Sequence, residues 1–397
     1  MAVQRIYLDH AATTPVRPEV REAMLPFLGE DAFGNPSSGH SFGRMARAGL
    51  EAARKRVAEA LGVQLREVLF TSGGTEADNL AILGCAIAAC GGMDLSCTHL
   101  VATPIEHKAV LAALHEAEQY GAKTTLLPVD SRGIVSLDAL DKVLKDSLKP
   151  TIVSVMWVNN ETGVVQPIEQ IAERCAAAGV SFHTDAVQSF GKVPMRLDRT
   201  PGVTYCSISA HKIGGPKGIG AMIVRDRKGV HPLIHGGGQQ GGLRPGTENV
   251  PGAVALGIAA QLAAEEQPVT FAKLSAIRDA AEAELKARVS DLVVHGAGAP
   301  RGPNILHMSA PGTDSEAMLM HLDLAGLACA SGSACQTGSV EPSHVLSAMG
   351  TPREVAIAAV RMSFGALSSA DQVPRIADAF EQVVTKVRQL RAVLERA

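Results

Sequence analysis

The 397-residue sequence is poor in aromatic residues, which make up 3% of the chain against 46% hydrophobic residues in total. A core with so few rings must be built mainly from Ala, Val, Leu and Ile. The chain also lacks any run of about 18 uninterrupted apolar residues, the length that a membrane-spanning helix needs. Its N-terminus has no apolar signal segment. We therefore expect a cytoplasmic protein that does not insert into a membrane.

The sequence has no large excess of positive or negative residues, because the formal net charge is only −3. A near-balanced chain has no bulk electrostatic reason to bind nucleic acid or an anionic membrane surface. The length allows roughly two to three domains with a large buried core.

The cysteines follow no regular spacing. The seven are Cys85, Cys90, Cys97, Cys175, Cys206, Cys329 and Cys335. An odd number at irregular intervals in a large chain predicts reduced thiols rather than a disulfide framework. The group formed by Cys85, Cys90, Cys97 and His99 matches no closed zinc pattern. We therefore predict buried structural cysteines there and no resident metal ion.

Short β-branched runs alternate with helical patterns through the first two thirds of the chain. We predict strands at 68–71, 99–103, 124–128, 152–158, 181–184, 203–208 and 221–224, and helices at about 75–89, 108–120, 137–146 and 168–178. This alternation predicts an α/β fold with a largely parallel sheet that is covered on both faces.

The pattern changes after Pro251. We predict a long helical region at 254–289 that is interrupted near Gln267 and Pro268, strands at 292–295 and 304–308, and a final helix at 370–397. The predicted organisation is a large domain of residues 16–253 and a smaller α+β domain of residues 254–397. Residues 1–15 are expected to pack on the smaller domain.

Cys335 lies in a run of small residues, Ala330-Ser331-Gly332-Ser333-Ala334-Cys335-Gln336-Thr337-Gly338. Such a run cannot build a packed core, so it predicts an accessible loop that presents a thiol. The alternative interpretation is a turn that contains an incidental cysteine.

Lys212 lies in a second informative run, Ser209-Ala210-His211-Lys212-Ile213-Gly214-Gly215-Pro216-Lys217-Gly218. Burial or neighbouring cations lower the pKa of a lysine amine, which can then form a Schiff base with a carbonyl group. Lys212 directly follows a predicted strand and can face a cavity there. Lys217 lies inside the turn and is the competing candidate, and an ordinary surface lysine is the plain alternative.

Polar groups also follow other predicted strands. Ser72-Gly73-Gly74-Thr75-Glu76 opens a helix and suits a phosphate, although Thr75 with Asp78 also resembles a capping box. Asp185 ends a strand, where a carboxylate is able to keep a pyridine nitrogen protonated or simply cap a helix. Two further clusters, 103–107 and 159–163, follow strands as well. Because the carboxyl ends of parallel strands meet at one edge, we expect all of these groups to converge.

These runs together resemble the class I, NifS/IscS-like cysteine desulfurases. The motifs are the N-terminal Tyr7-Leu8-Asp9-His10-Ala11-Ala12-Thr13-Thr14-Pro15, the lysine run, the cysteine run and Arg361-Met362-Ser363-Phe364-Gly365, so the resemblance covers nearly the whole chain. It implies a fold-type I pyridoxal-phosphate transferase. That fold has a large domain with a mainly parallel seven-stranded sheet and a smaller α+β C-terminal domain.

The resemblance also implies roles for residues in this sequence. Lys212 would bind pyridoxal 5'-phosphate covalently, Asp185 would pair with its pyridine nitrogen and His107 would stack on its ring. Gln188 and Asn160 would lie near its phenolic oxygen. Its phosphate would be held by Gly74, Thr75, Ser209 and His211, with Thr247 reaching over from a second subunit. Arg361 would bind the substrate carboxylate, with Asn35 and Asn160 nearby.

The activity that the resemblance implies is the conversion of L-cysteine to L-alanine. Cys335 would accept the sulfur as a persulfide, and His107 would help to deprotonate the thiol. A homodimer would pass the sulfur to an acceptor protein such as an iron–sulfur scaffold, to which Cys335 is also a candidate cluster ligand. The sequence ends without the longer C-terminal tail that some relatives use for scaffold docking, so the acceptor stays open. Selenocysteine lyase, another pyridoxal-dependent reaction and a non-enzymatic sulfur relay are the alternatives.

Overall fold

A computed structural model of the protein describes residues 5–332 and 341–394. Cys335 and its neighbours from Ser333 to Val340 lie outside the described residues. Within them, no helix is both long and apolar enough to cross a membrane.

Short strands and longer helices alternate along the described part of the chain. The strands are β1 (Ile6–Tyr7), β2 (Val68–Thr71), β3 (His99–Ala102), β4 (Lys123–Leu126), β5 (Ile152–Ser154), β6 (Ser181–Asp185), β7 (Tyr205–Ser209), β8 (Gly220–Val224), β9 (Val293–Val294), β10 (Ile305–Ser309), β11 (Leu327–Ala328) and β12 (Ala359–Ser363). The helices are α1 (Pro18–Leu28), α2 (Ser41–Leu61), α3 (Gly74–Cys90), α4 (Lys108–Gln119), α5 (Leu137–Val143), α6 (Ile168–Ala178), α7 (Val250–Arg288), α8 (Ser315–Leu324), α9 (His344–Ala348), α10 (Arg353–Ala356) and α11 (Val373–Leu394).

A seven-stranded sheet in the order β2-β8-β7-β6-β5-β3-β4 forms the larger part of the fold, as predicted. Strands β4, β3, β5, β6 and β7 are parallel, and β8 is antiparallel to both of its neighbours. Helices α3 and α4 contribute to the apolar cluster on one face. Helices α2, α6 and the first part of α7 contribute to the cluster on the other face. Every residue of β2, β3, β5, β7 and β8 is buried, as expected for strands that are covered on both faces, whereas the edge strand β4 is partly exposed.

A second apolar core surrounds the three-stranded antiparallel sheet β12-β10-β9. The N-terminal segment belongs to this core, since β1 is parallel to β11 and Leu8 is fully buried. The amide of Ala11 also donates to Ser363 Oγ at 2.8 Å, which continues the contact as far as β12. The proposed domain boundaries at residues 16 and 254 stay a prediction.

Helix α7 corrects the predicted interruption near Pro268. It runs without a break from Val250 to Arg288, with Pro268 inside it. Residues up to Ala260 are buried in the first core, and residues from Leu274 onward are buried in the second. Proline inside a helix costs a backbone hydrogen bond. Tertiary packing at both ends of α7 outweighs that local cost.

Strand β5 is shorter than predicted and ends at Ser154 rather than at residue 158. The amide of Met156 donates to both carboxylate oxygens of Glu106, at 3.1 and 2.9 Å, instead of joining the sheet. Pairing on the side of β3 therefore stops at Met156, whereas the amides of Val155 and Trp157 still donate to carbonyl oxygens of β6, at 3.1 and 2.9 Å. Local sequence patterns do not contain this signal.

One disulfide corrects the prediction that the thiols are reduced. Cys90 and Cys97 are bonded, with their Cα atoms 6.0 Å apart. Helix α3 ends at Cys90, and Gly91 takes a left-handed conformation with φ of 69°. The chain then turns back toward β3, which brings Cys97 to the end of the helix. Cys85, Cys175 and Cys206 are buried free thiols.

This disulfide predicts the number of reactive thiols in the purified protein. Of the seven cysteines, two are bonded, so five thiols should react after denaturation without a reductant. All seven should react after reduction. A thiol-reactive chromophore measures both values, and the variant Cys97→Ser should react at six thiols without reductant. Seven reactive thiols in the unreduced wild-type protein would contradict the pairing.

Candidate active site

The carboxyl ends of the parallel strands open into a cavity of about 380 Å³. Ten of the residues singled out in the sequence line it, and they are Gly74, Thr75, His107, Asn160, Asp185, Gln188, Ser209, His211, Lys212 and Arg361. Nine of them lie at or after the carboxyl ends of β2, β3, β5, β6 and β7, and Arg361 lies within β12, so residues that are far apart in the chain face one space. The structure therefore shows the predicted convergence of these side chains.

Lys212 extends from the single turn that follows β7. Its Nζ donates to the carbonyl oxygens of Ala11 and Ala12 at 2.6 and 2.7 Å. Burial, and then the nearby Arg361 cation, lower the pKa of the Lys212 amine to about 8 from the ordinary 10.5. Lys217 is exposed instead. Lys212 is thus the lysine of this run that can supply a neutral amine in the cavity.

Asp185 ends β6, the strand next to β7. Its Oδ1 accepts a hydrogen bond from the amide of Val187 at 2.8 Å. Burial raises the pKa of Asp185, while the charges of His107 and Lys212 oppose that rise. A buried carboxylate of this kind favours a cationic or proton-donating partner.

His107 lies at the start of α4, where its Nδ1 accepts the amide hydrogen of Ala109 at 3.1 Å. The neutral ring therefore carries its proton on Nε2. The surrounding protein atoms lower the pKa of His107, although the ring stays accessible from the cavity. A neutral imidazole beside the cavity is able to stack on a ring or to accept a proton.

Helix α3 begins at Gly74, directly after β2. Its N-cap residue is Gly73, and no side chain caps its first turn. The capping box of Thr75 and Asp78 is therefore wrong; Asp78 instead points into the fold, 3.6 Å from His183. Gly220 of β8 packs against the turn, because a Cβ there would lie 2.7 Å from the Cα of Gly73. A helix start without a side-chain cap, at the wall of a cavity, suits a phosphate group.

Arg361 reaches the cavity from β12 of the second core. Its Nη1 donates to the carbonyl oxygen of Asn160 and its Nη2 to the carboxylate of Asp9, each at 2.9 Å. Asp9 is a functional candidate that sequence reasoning missed. It lies in the N-terminal motif, but no local pattern shows that it meets Arg361.

Gln188 is hydrogen bonded at both ends of its amide. Its Nε2 donates to the carbonyl oxygen of Ala11 at 2.8 Å, and its Oε1 accepts from the buried Lys192 at 3.0 Å. Sequence reasoning also missed Lys192, whose pKa burial lowers to about 7.

Three candidates are not among the residues that line this cavity. Asn35 is exposed, and its Oδ1 accepts from the amide of Ser37 at 2.9 Å. Thr247 is exposed as well. Cys335 lies outside the described residues. Their roles, including the contact of Thr247 with a second subunit, stay predictions.

The fold and this cavity define a class of protein. A family model, described as aminotransferase class-V, matches residues 6–376. The chain belongs to this pyridoxal-phosphate-dependent family, and the predicted fold class is confirmed.

Individual proteins that are similar to this chain have more specific descriptions than the family model. The cysteine desulfurase IscS of Dictyoglomus turgidum is 42% identical over 388 residues, which cover 98% of this chain and 96% of that protein. A solved structure of a NifS-like protein has a TM-score of 0.87 at 34% identity and covers 96% of this chain and all of that one. A structure of SspA in complex with cysteine has a TM-score of 0.77 at 33% identity and covers 90% of this chain and 98% of that one. The resemblance read from the sequence is confirmed at the level of the family.

The residues of the cavity suit the family's cofactor. Pyridoxal 5'-phosphate carries a phosphate, a pyridine nitrogen and an aldehyde. The α3 N-terminus suits the phosphate. The buried Asp185 carboxylate suits the pyridine nitrogen, and the Lys212 amine suits the aldehyde. Each of the three groups therefore has a counterpart in the cavity.

The pKa of Lys212 predicts how cofactor incorporation depends on pH. A protonated amine cannot attack an aldehyde, so incorporation into cofactor-free protein should speed up as the pH rises through about 8 and then level off. The appearance of the visible absorbance band of the bound cofactor measures this rate. Lys217→Ala should leave the pH at which this rate is half its maximum unchanged. A midpoint near 10.5, the ordinary lysine value, would contradict the account.

Proposed function

We propose that the protein is a cysteine desulfurase, which converts L-cysteine to L-alanine and transfers the sulfur to Cys335 as a persulfide. The observation that carries the proposal is the joint placement of Lys212, Asp185 and Arg361 around one cavity in a chain 42% identical to a cysteine desulfurase. The likeness to SspA, whose structure was solved in complex with cysteine, supports L-cysteine as the substrate.

In this proposal the residues of the cavity hold the cofactor. Lys212 would bond to the aldehyde carbon, Asp185 would pair with the pyridine nitrogen and His107 would stack on the ring. Gln188 and Asn160 would lie near the phenolic oxygen. The phosphate-binding residues are Gly74, Thr75, Ser209 and His211, and Thr247 of a second subunit completes them in a homodimer.

Arg361 binds the substrate carboxylate. A planar guanidinium makes paired, charge-assisted hydrogen bonds to a carboxylate. Asp9 accepts a hydrogen bond from Nη2 at 2.9 Å, so it keeps the guanidinium aimed at the cavity wall. Arg361 Nε is buried and has no partner in the described part of the chain, which leaves it as a further donor. Asn35 and Asn160 are the other proposed substrate contacts.

Proton transfer is the task of Lys212. When bound, the cofactor withdraws the electron pair that remains at the substrate Cα after its proton has left. The amine of Lys212, released when the substrate's own amine takes its place, has a pKa of about 8 and is able to take that proton and to return it. His107, with its lowered pKa, accepts the proton of the attacking thiol.

Sulfur transfer then follows a balanced course. The Cys335 thiolate attacks the substrate Sγ, a sulfur–sulfur bond forms and the substrate Cβ–Sγ bond breaks. The electron pair of the broken bond stays with the carbon skeleton, which takes up protons and leaves as L-alanine. One cysteine and one thiol therefore yield one alanine and one persulfide, with no external oxidant. The persulfide then passes its sulfur to an acceptor, for which an iron–sulfur scaffold protein is the proposed class.

Replacing Cys335 tests this function directly. Cys335→Ser should retain the visible absorbance of the bound cofactor but lose at least about 100-fold in alanine formation, because an oxygen cannot carry the transferred sulfur. Cys329→Ser is the matched control and should stay active. Alanine is measured by amino-acid analysis and sulfide after reduction.

Two results would contradict the assignment. Unchanged alanine formation in Cys335→Ser would favour another pyridoxal-dependent reaction. A much greater turnover of L-selenocysteine than of L-cysteine, without any dependence on Cys335, would favour a selenocysteine lyase.

Replacing Arg361 tests the substrate clamp. Arg361→Lys keeps the positive charge but loses the paired donors, so the KM for L-cysteine should rise roughly tenfold or more while kcat changes less. Steady-state kinetics give both constants. Arg388→Lys, on α11, alters a pair in which Arg388 Nη2 donates to both carboxylate oxygens of Asp291, and it should change neither constant. An unchanged KM in Arg361→Lys would remove Arg361 from the substrate site.

A further inference from the structure

Glu161 is a buried carboxylate that the proposed reaction does not use. It follows Asn160 directly and is only 2% exposed. Its amide donates to Asn159 Oδ1 at 3.0 Å, which fixes the turn after β5. Burying a charged group is costly unless it is paired, so this position requires a physical reason.

The carboxylate of Glu161 lies next to the chain on both sides of residues 333–340. On the far side, Ser343 donates its hydroxyl hydrogen to Glu161 Oε2. On the near side, a Cβ placed on Gly332 would lie 3.0 Å from the same oxygen, and Gly332 has φ of +87°. Glycine tolerates both the conformation and the close approach. The same carboxylate oxygen therefore accepts a hydrogen bond from Ser343 and leaves no room for a side chain at Gly332, eleven positions earlier.

Both flanks also meet the active site independently of Glu161. Ala330 forms backbone hydrogen bonds with Arg361 in both directions, at 3.2 and 2.6 Å. His344 Nε2 donates to the carbonyl oxygen of Glu106 at 3.0 Å, directly before His107. The two ends of the segment are thus tied to the strand ends that carry Arg361 and His107.

Ser343 links Glu161 to a helix as well. Its Oγ accepts hydrogen bonds from the amides of Val345 and Leu346, at 3.1 and 3.4 Å, and so caps α9. A single hydroxyl therefore connects the carboxylate to the first turn of α9. Movement of Glu161 would be passed on to the start of that helix.

We propose that Glu161 is a positioning residue for sulfur transfer, which fixes both flanks of the segment that carries Cys335. It binds Ser343 by a hydrogen bond and occupies the space that a side chain at position 332 would need, directly after Asn160. The inference rests on the proposed transfer of sulfur to Cys335 and extends it. Glu161 itself touches neither substrate nor cofactor in this account.

Three substitutions of Glu161 distinguish the effect of its contacts with the flanks from the effect of its negative charge. Glu161→Ala removes the contact with both flanks. Glu161→Gln keeps the length and an oxygen acceptor for Ser343 but loses the charge. Glu161→Asp keeps the charge, which faces Lys108, His344 and Arg361, but is too short to reach. Glu173→Ala, an exposed carboxylate on α6, is the control for general effects.

Two readouts on the cofactor-loaded protein distinguish loop positioning from damage to the substrate site. The first is the cofactor absorbance change on adding L-alanine, which binds in the cavity but has no sulfur to transfer. The second is the single-turnover rate of persulfide formation on Cys335, measured with L-cysteine by peptide mass spectrometry. Thermal melting shows that each variant is folded.

A misplaced reacting group costs roughly 10- to 100-fold in rate. Glu161→Ala and Glu161→Asp should slow persulfide formation by that factor, with the response to L-alanine within about twofold of the wild type. Glu161→Gln should stay within about threefold in both readouts.

Three results would overturn the inference. Equal loss in both readouts would place Glu161 in the substrate site, and normal persulfide formation in Glu161→Ala would remove its role. A normal rate of persulfide formation in Glu161→Asp, together with a slow rate in Glu161→Gln, would show that the charge of Glu161 matters and not its reach. An unmodified Cys335 in the wild-type protein would refute the proposed function together with this inference, whereas the other outcomes refute the inference alone.

Discussion

Lys212 and Asp185 face one cavity from the ends of two adjacent parallel strands, and both are charged groups withdrawn from water. Burial lowers the pKa of the amine and raises that of the carboxylate. Each charge partly compensates for the cost of burying the other, since a buried charge without a partner is strongly unfavourable. The same compensation gives the cavity its chemistry. It holds an amine that can lose a proton and a carboxylate that attracts a protonated ring nitrogen.

The N-terminal segment is part of this arrangement. The carbonyl oxygens of Ala11 and Ala12 accept the hydrogen bonds of Lys212, and Asp9 accepts one from Arg361. Meanwhile β1 and Leu8 are packed into the second core. A short stretch of chain therefore connects the second core to the reactive lysine. Arg361 makes the opposite connection, because it extends from β12 in the second core to the carbonyl oxygen of Asn160, which follows β5 of the large sheet. The two cores share the site, and neither core completes it alone.

Much of this organisation was predictable from sequence because it depends on local patterns. Alternating apolar strands and helices predict the parallel sheet, and in a parallel sheet the polar residues after the strands must meet. Lys212 and Asp185 were found in this way, together with the cluster 103–107. The family resemblance added the role of His107 in that cluster, and it added Arg361, which no local signal connects to the other residues.

Other features depend on contacts between distant residues and were missed or predicted wrongly. Helix α7 continues through Pro268 because two cores bury its ends. The pairing of β5 with β3 stops early because Glu106 accepts the amide hydrogen of Met156. The Cys90–Cys97 bond depends on the direction in which the chain leaves α3. The contacts of Glu161 with both flanks of the cysteine segment are likewise visible only in three dimensions.

A single-turnover experiment tests the central claim most directly. The cofactor-loaded protein is mixed, without a reductant, with a limiting amount of L-cysteine that carries a sulfur isotope label. Alanine and the Cys335 peptide are then quantified together. The account predicts one labelled sulfur on Cys335 for each alanine formed. Alanine formed in the same amount, with the label free in solution and Cys335 unmodified, would contradict it.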